Sequence, residues 1–200
     1  MTSVAPAAPL IDDFLPHADI CECHEILVRA PATAVMDVAE HFDLQSLPVV
    51  RAIFWLRSKL LGAAPPAPDL FGKGLVASTM AQGWGELSRG PGRALVMGAV
   101  TQPWKADVIF TAIAAEHFAG YAEPGRVKIV WTIETEPLGP SLTRLRTETR
   151  AVATDAAAQR QFLRYWRWAR FGIVLIRWLL LLAVKREAER RALSGLAVAQ

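Results

Sequence analysis

The chain is poor in the residues that staple or metallate a small fold. Two cysteines in 200 residues, Cys21 and Cys23, exclude a disulfide framework. Without a second cysteine pair they also exclude a four-cysteine zinc module. Charged side chains make up only 20% of the sequence and the net charge is +3, so the chain is not a disordered polyelectrolyte and has only a weak overall pull on polyanions. No Gly-x-Ser-x-Gly elbow, P-loop or dinucleotide glycine pattern occurs; Gly83-Trp84-Gly85 is far too short to count. No uninterrupted apolar run approaches the about 20 residues that cross a bilayer, and the greasiest segment, 173–184, has Arg177 near its centre. The opening residues up to Pro16 have neither a basic start nor a continuous apolar stretch, and they include Asp12-Asp13. No secretory signal is therefore expected, and a cytoplasmic location is the default.

What is present is apolar mass. Hydrophobic residues are 52% of the chain and seven are tryptophan, enough for one well-filled domain. The charge is uneven. Residues 155–191 hold nine basic and three acidic side chains, so all the net basicity lies in one C-terminal segment. Such a segment is either a solvated helix face or a surface for anionic partners.

Along the chain, residues 1–16, rich in Ala and Pro, read as a disordered arm. Asp19–Arg29 reads as a strand with Ile20, Ile26 and Val28 on one face, stopped by Ala30-Pro31. A helix over about 32–40 and a second from Pro48 to Leu61, ended by Gly62, follow from helical spacing and from proline-first, glycine-last punctuation. The proline- and glycine-rich stretch 62–74 reads as a loop, either a connector or a lid. Strands are expected over 84–88 and 94–101 around Arg89-Gly90-Pro91-Gly92, over 113–121, and over 128–136 and 143–154 around Pro137–Ser141. Asp155 caps a long final helix reaching about Leu193, leaving 193–200 as a tail. One antiparallel sheet with an apolar face needs a cover, and the long helix supplies it. The fold class expected is α+β.

That order, together with particular residues, resembles the START-like or helix-grip (SRPBCC, polyketide cyclase-like) superfamily. The resemblance rests on Glu25–Pro31 followed by Ala34-Val35, on Pro91–Val100 ending at Pro103-Trp104, on Glu136–Gly139 with Thr143–Arg150 and Thr154-Asp155, and on Phe162–Arg167. It covers about 17–190. It implies a helix-grip fold: a curved antiparallel sheet wrapped around a long C-terminal helix, two short helices after the first strand, and a mostly apolar cavity between sheet and helix. The single domain would run from 17 to 192. Members bind lipids, sterols, polyketides or other hydrophobic molecules, and some are cyclases or aromatases. Related proteins are more basic in the final helix and have Pro-Gly where this chain has Phe171-Gly172.

Strand parity places His24 and Glu22 on the inward face with Ile26 and Val28, and turns Cys21, Cys23 and Glu25 outward. An inward His-Glu pair could orient a polar ligand group or act as acid and base; the alternative is a satisfied interior histidine. Because the cysteines lie opposite His24, one metal ion could not collect all three, and no metal site is expected. His41 and His117 do not alter this. Arg144, Arg146, Glu148 and Arg150 form a ladder on one strand face. It is either solvated, or, where Glu148 and Arg150 turn inward, the polar end of a cavity. Trp84, Trp104, Trp131 and Tyr165 are core or cavity-wall residues. The candidate ligand-binding set is thus His24, Trp84, Trp104, Trp131, Glu148, Arg150 and Tyr165, with His24 and Glu22 as the catalytic candidates.

The expected function is binding of a small hydrophobic ligand, a lipid, polyketide or similar molecule, with no cofactor and no nucleic-acid partner. A cyclase- or dehydratase-type enzyme using His24 and a carboxylate is the rival. A third reading is a membrane-peripheral protein docking through 173–191. That segment, an extension of the terminal helix, could equally pack in the core or form a homodimer contact.

Overall fold

A computed structural model describes residues 10–62, 74–90 and 93–198. The element order is α1 (Ile11–Phe14), β1 (Ile20–Val28), α2 (Ala32–His41), a 3-10 turn (Leu44–Ser46), α3 (Pro48–Leu61), α4 (Leu75–Ala81), β2 (Gly85–Gly90), β3 (Ala94–Thr101), α5 (Ala115–Phe118), β4 (Val127–Gly139), β5 (Leu142–Ala153) and α6 (Ala156–Val198). The five strands form one antiparallel sheet in the order β1-β5-β4-β3-β2. The long α6 packs across it, giving the α+β helix-grip arrangement. The lid-or-connector question for 62–74 and the Pro91-Gly92 turn fall on residues outside those described.

Sequence punctuation explains most element ends. Proline at N1 opens α3, and Gly62 closes it in the left-handed region at φ 67°, with its N–H donating to Ser58 O, a conformation that costs glycine no Cβ clash. The β4–β5 ribbon keeps the alternation read from the sequence and pairs Trp131 with Thr149 and Glu134 with Arg146. Its strands run further into the turn than expected: Pro137 pairs with Thr143 beside a register shift, where a missing ladder donor is tolerated.

Both sheet faces are covered. On the inner face Leu95, Met97, Trp131, Ile133 and Leu145 meet Leu180, Leu181, Val184 and Ala188 of α6. Burying such side chains yields about 1.5–3 kcal/mol each, which anchors the helix. On the outer face Ile11, Phe14 and Leu15 join Val96, Val100, Phe118 and Val130. The expected disordered arm therefore does not hold over its last residues: Leu15 is 1% exposed, and residues 1–9 lie outside those described. The strand expected over 113–121 is also corrected. Only Thr111 bridges to Val100. The apolar run instead forms α5, whose Phe118 ring stands edge-on to Phe14 at 6.4 Å. Gly98 leaves room for it, since a Cβ there would come within 2.9 Å of the Phe118 ring and 2.4 Å of Leu87. The helix α4 was not foreseen, because its seven residues are too few to show a period.

The final helix is continuous for 43 residues, about 64 Å at 1.5 Å per residue. It runs unbroken through Gly172 and through most of the expected tail. Gly172 serves contact, not bending: a Cβ there would meet Ile53 of α3 at 3.1 Å. Asp155 begins the helix by accepting from Ala157 N at 2.7 Å and Ala158 N at 2.8 Å, and also from Gly125 N. The hydrogen bonds from Ala158 and Gly125 hold the Asp155 carboxyl below its ordinary range. A lowered carboxyl pKa stabilises the fold above the ordinary value and loses that contribution as pH falls through the folded one. Asp155→Ala is therefore expected to lower the melting temperature at neutral pH, with the gap to the unaltered protein closing under strongly acidic conditions, as checked by thermal melts at several pH values.

Candidate functional site

The inner face of the sheet carries a polar island inside its apolar surroundings. Register sets Glu22 opposite Thr149 and Thr149 opposite Trp131, and one step along sets His24 opposite Thr147. Both Glu22 and His24 face inward as parity demands. Above this row α6 brings down Arg177. Its guanidinium donates to Thr149 Oγ1 at 2.9 Å and lies over the Trp131 ring, 5.5 Å from the centroid. Among the described residues no carboxylate pairs with it. The residue as a whole keeps some solvent contact, but its charged end is desolvated, and that burial pushes its pKa down to about 10. An unpaired buried cation is costly, and a neutral hydroxyl with an aromatic face compensates only part of that cost.

His24 has an open valence in the same place. Its side chain is 11% exposed, Nε2 lies 4.0 Å from Glu22 Oε2, and that nitrogen has no hydrogen-bond partner. A distance of 4.0 Å is too long for a hydrogen bond. The imidazole is roofed by Trp178, with ring centroids 5.4 Å apart, and Trp178 itself is 41% exposed. Trp84 extends the wall, 6.4 Å from Trp131 and 4.9 Å from Phe110. Aromatic walls around a cation and an unfilled imidazole nitrogen suit an amphipathic ligand with a hydrogen-bond-accepting, anionic end.

The other candidates fall elsewhere. Trp104 and Tyr165 belong to a separate cluster with Val127, Ala151 and Phe162. Glu148 and Arg150 are on the outer face, so they do not form the polar end of an inner cavity. Nor are they solvated: Glu148 is buried and held at 2.6 Å by both Arg146 and Arg150. Arg150 also reaches the carbonyl of Leu15 at 3.0 Å, which ties α1 to the sheet. The cysteines share this outer face. Cys21 Sγ donates to Glu148 Oε1 at 3.5 Å and Cys23 Sγ accepts from Arg146 at 3.1 Å. Burial, then the Glu148 charge, push the Cys21 thiol up, away from the thiolate a nucleophile needs. Among the described residues no three His, Cys, Asp or Glu side chains converge as metal ligands.

An open groove of about 490 Å³ lies between α2, the 3-10 turn and the distal part of α6, lined by Val38, Phe42, Leu47 and Ala183 with Arg186 and Arg190 among its polar residues. Its charges largely satisfy one another: Glu187 binds both Arg190 and Arg191 at 2.7 Å, and Asp43 accepts from Gln45 N. Among the described residues the buried side-chain atom left without a hydrogen-bond partner, His24 Nε2, lies in the island under α6. Sequence reasoning found His24, Glu22 and Trp131 there but used Arg177 only as an argument against a membrane span. Its signal was a lone charge in an apolar helical run.

No protein-family model and no curated protein matches the chain. Two solved structures align over most of it. A hypothetical protein from Helicobacter pylori is 9% identical, with 94% of this chain and 99% of that one covered, at a TM-score of 0.42. The Zhui aromatase/cyclase from Streptomyces sp. R1128 is 17% identical, with 86% and 94% covered, at a TM-score of 0.30. Neither alignment transfers a site residue or an activity.

The outer triad generates a test of what it does. Removing Glu148 deprives the partly exposed Arg146 and Arg150 of their shared buried carboxylate, so Glu148→Ala is expected to cost about 1–3 kcal/mol in urea unfolding. Glu136→Ala, which breaks only the exposed pair with Arg144, is expected to cost less than about 1 kcal/mol.

Proposed function

We propose that the protein binds a small hydrophobic molecule bearing an anionic end, with that end against Arg177, Thr149 and His24 and the apolar body along Trp131, Trp84 and Trp178. The observation that carries this reading is the guanidinium of Arg177, held on Thr149 and over Trp131 on the face that also bears the unpartnered His24 Nε2, with no carboxylate pairing it among the described residues. A carboxylate would accept from Arg177 and from a protonated Nε2, completing both at once. Trp178, 41% exposed, is the part of this roof that reaches solvent. Glu22 lies on the same inner face, 4.0 Å from His24 Nε2 and beyond hydrogen-bond reach of it.

A catalytic reading rests on the same nitrogen. An inward His24 with a free Nε2 and a carboxylate nearby could transfer a proton to or from a bound polyketide-like substrate. His24→Gln separates the two readings: a carrier keeps much of its ligand affinity, whereas an enzyme loses turnover while still binding.

The stored cost of Arg177 gives the sharpest prediction. A base whose folded pKa is lowered destabilises the fold at every pH below that value, here below about 10, and the cost fades as pH rises through it. At pH 7 Arg177→Met is therefore expected to raise the stability of the ligand-free protein by about 1–3 kcal/mol. The same variant is expected to abolish the preference for decanoate over decanol in calorimetric titration. Loss of stability with unchanged decanoate binding would show that Arg177 is part of the scaffold and not of a ligand site.

A further inference from the structure

The geometry points to a docking surface for an anionic membrane on the outward side of α6 and the neighbouring α3, independent of whether the inner site holds a ligand. On α6 the residues facing away from the sheet are apolar: Trp168, Phe171, Leu175 and Leu182, exposed by 42, 70, 44 and 38%, with the partly exposed Trp178 at their margin over His24. Their spacing of three, four and seven residues keeps them in one stripe along the helix. The opposite side of α6 already buries Leu180, Leu181, Val184 and Ala188 on the sheet, so the stripe is surplus to folding. Beside it, α3 touches α6 at Gly172 through Ile53. It turns Trp55, Leu56 and Leu60 outward, exposed by 61, 51 and 64%. An ordinary surface helix buries its apolar face, and both of these helices expose one.

Charge selects the occupant. Residues 48–61 and 156–186 contain no Asp or Glu at all. The exposed charges flanking the stripe are all positive, with Arg164, Arg167 and Arg170 at one end, Arg186 at the other, and Arg51 and Lys59 on α3. The Arg170 guanidinium lies over the Phe171 ring, 5.4 Å from its centroid, so the charge sits at the margin of the apolar surface. Tryptophan and phenylalanine framed by arginine suit the boundary between acyl chains and anionic headgroups. A second copy of the chain fits less well. Pairing two such stripes in either direction brings basic flanks against basic flanks, without the opposite charges that a helical seam uses beside its core. No described helix is long and apolar enough to cross a membrane, so the contact lies in the interface plane.

The test is co-sedimentation of the full chain with phosphatidylcholine vesicles, with and without phosphatidylglycerol, supported by tryptophan emission. Binding is expected only with the anionic lipid and is expected to weaken in about 0.5 M salt. The Phe171→Ser/Leu175→Ser variant is expected to lower the partition coefficient on the order of tenfold or more. Ile109→Ser, which alters an exposed apolar residue off both helices, leaves it unchanged. Equal partition of the unaltered protein to neutral and anionic vesicles, or none to either, would overturn the proposal. So would a concentration-dependent dimer in sedimentation velocity that Phe171→Ser/Leu175→Ser dissolves, because the stripe would then belong to a second copy.

Discussion

The packing of α6 across the inner face of the sheet is the contact on which the rest depends. Leu180, Leu181, Val184 and Ala188 fix the rotation of the helix against Leu95, Met97, Trp131 and Leu145. Once that rotation is set, Arg177 has one place to go, over Trp131 and onto Thr149, and Trp178 one place to rest, over His24. The same rotation turns Phe171 and Leu175 outward. An inner site and an outer surface are therefore two consequences of one helix orientation.

Arg177 and His24 on the inner face are incompletely satisfied, and that links stability to function. A core selected only for stability would have replaced Arg177 with an aliphatic residue, since a desolvated guanidinium without a counter-ion costs more than it returns. Its presence on the same face as an imidazole nitrogen with no partner concentrates unmet hydrogen-bonding capacity there. The outer face shows the contrast: Glu148 is buried, but Arg146 and Arg150 saturate it. Buried charge on that side fastens α1 to the sheet and asks for no ligand.

The fold was largely legible where local chemistry and tertiary structure agree. Parity along β1, the Ala30-Pro31 stop, Pro48 and Gly62 around α3, the β4–β5 alternation and the Asp155 cap are all set by neighbours within a few residues. The misses are places where distant packing decides. Residues Ile11–Leu15 fold because Phe118, Val130 and Arg150 are waiting for them, and the 113–121 run coils because Phe118 must enter the space that Gly98 leaves. The site was half legible for the same reason. Period two placed His24 and Glu22 inward, but a helix apolar nearly all round gives no cue to which side Arg177 faces. Parity put Glu148 and Arg150 on one face with Arg144 and Arg146 but could not say which side of the sheet that face was, nor that a preceding segment would cover it.

The central claim, that Arg177 is the anchor for an anionic ligand end, is tested most directly by following its side-chain Nε–H signal in ¹⁵N–¹H spectra during titration with decanoate. The account predicts that this signal shifts and saturates together with the His24 ring signals, and that decanol leaves the Arg177 signal in place. Saturable decanoate binding that moves neither signal, or no binding at all, would contradict it.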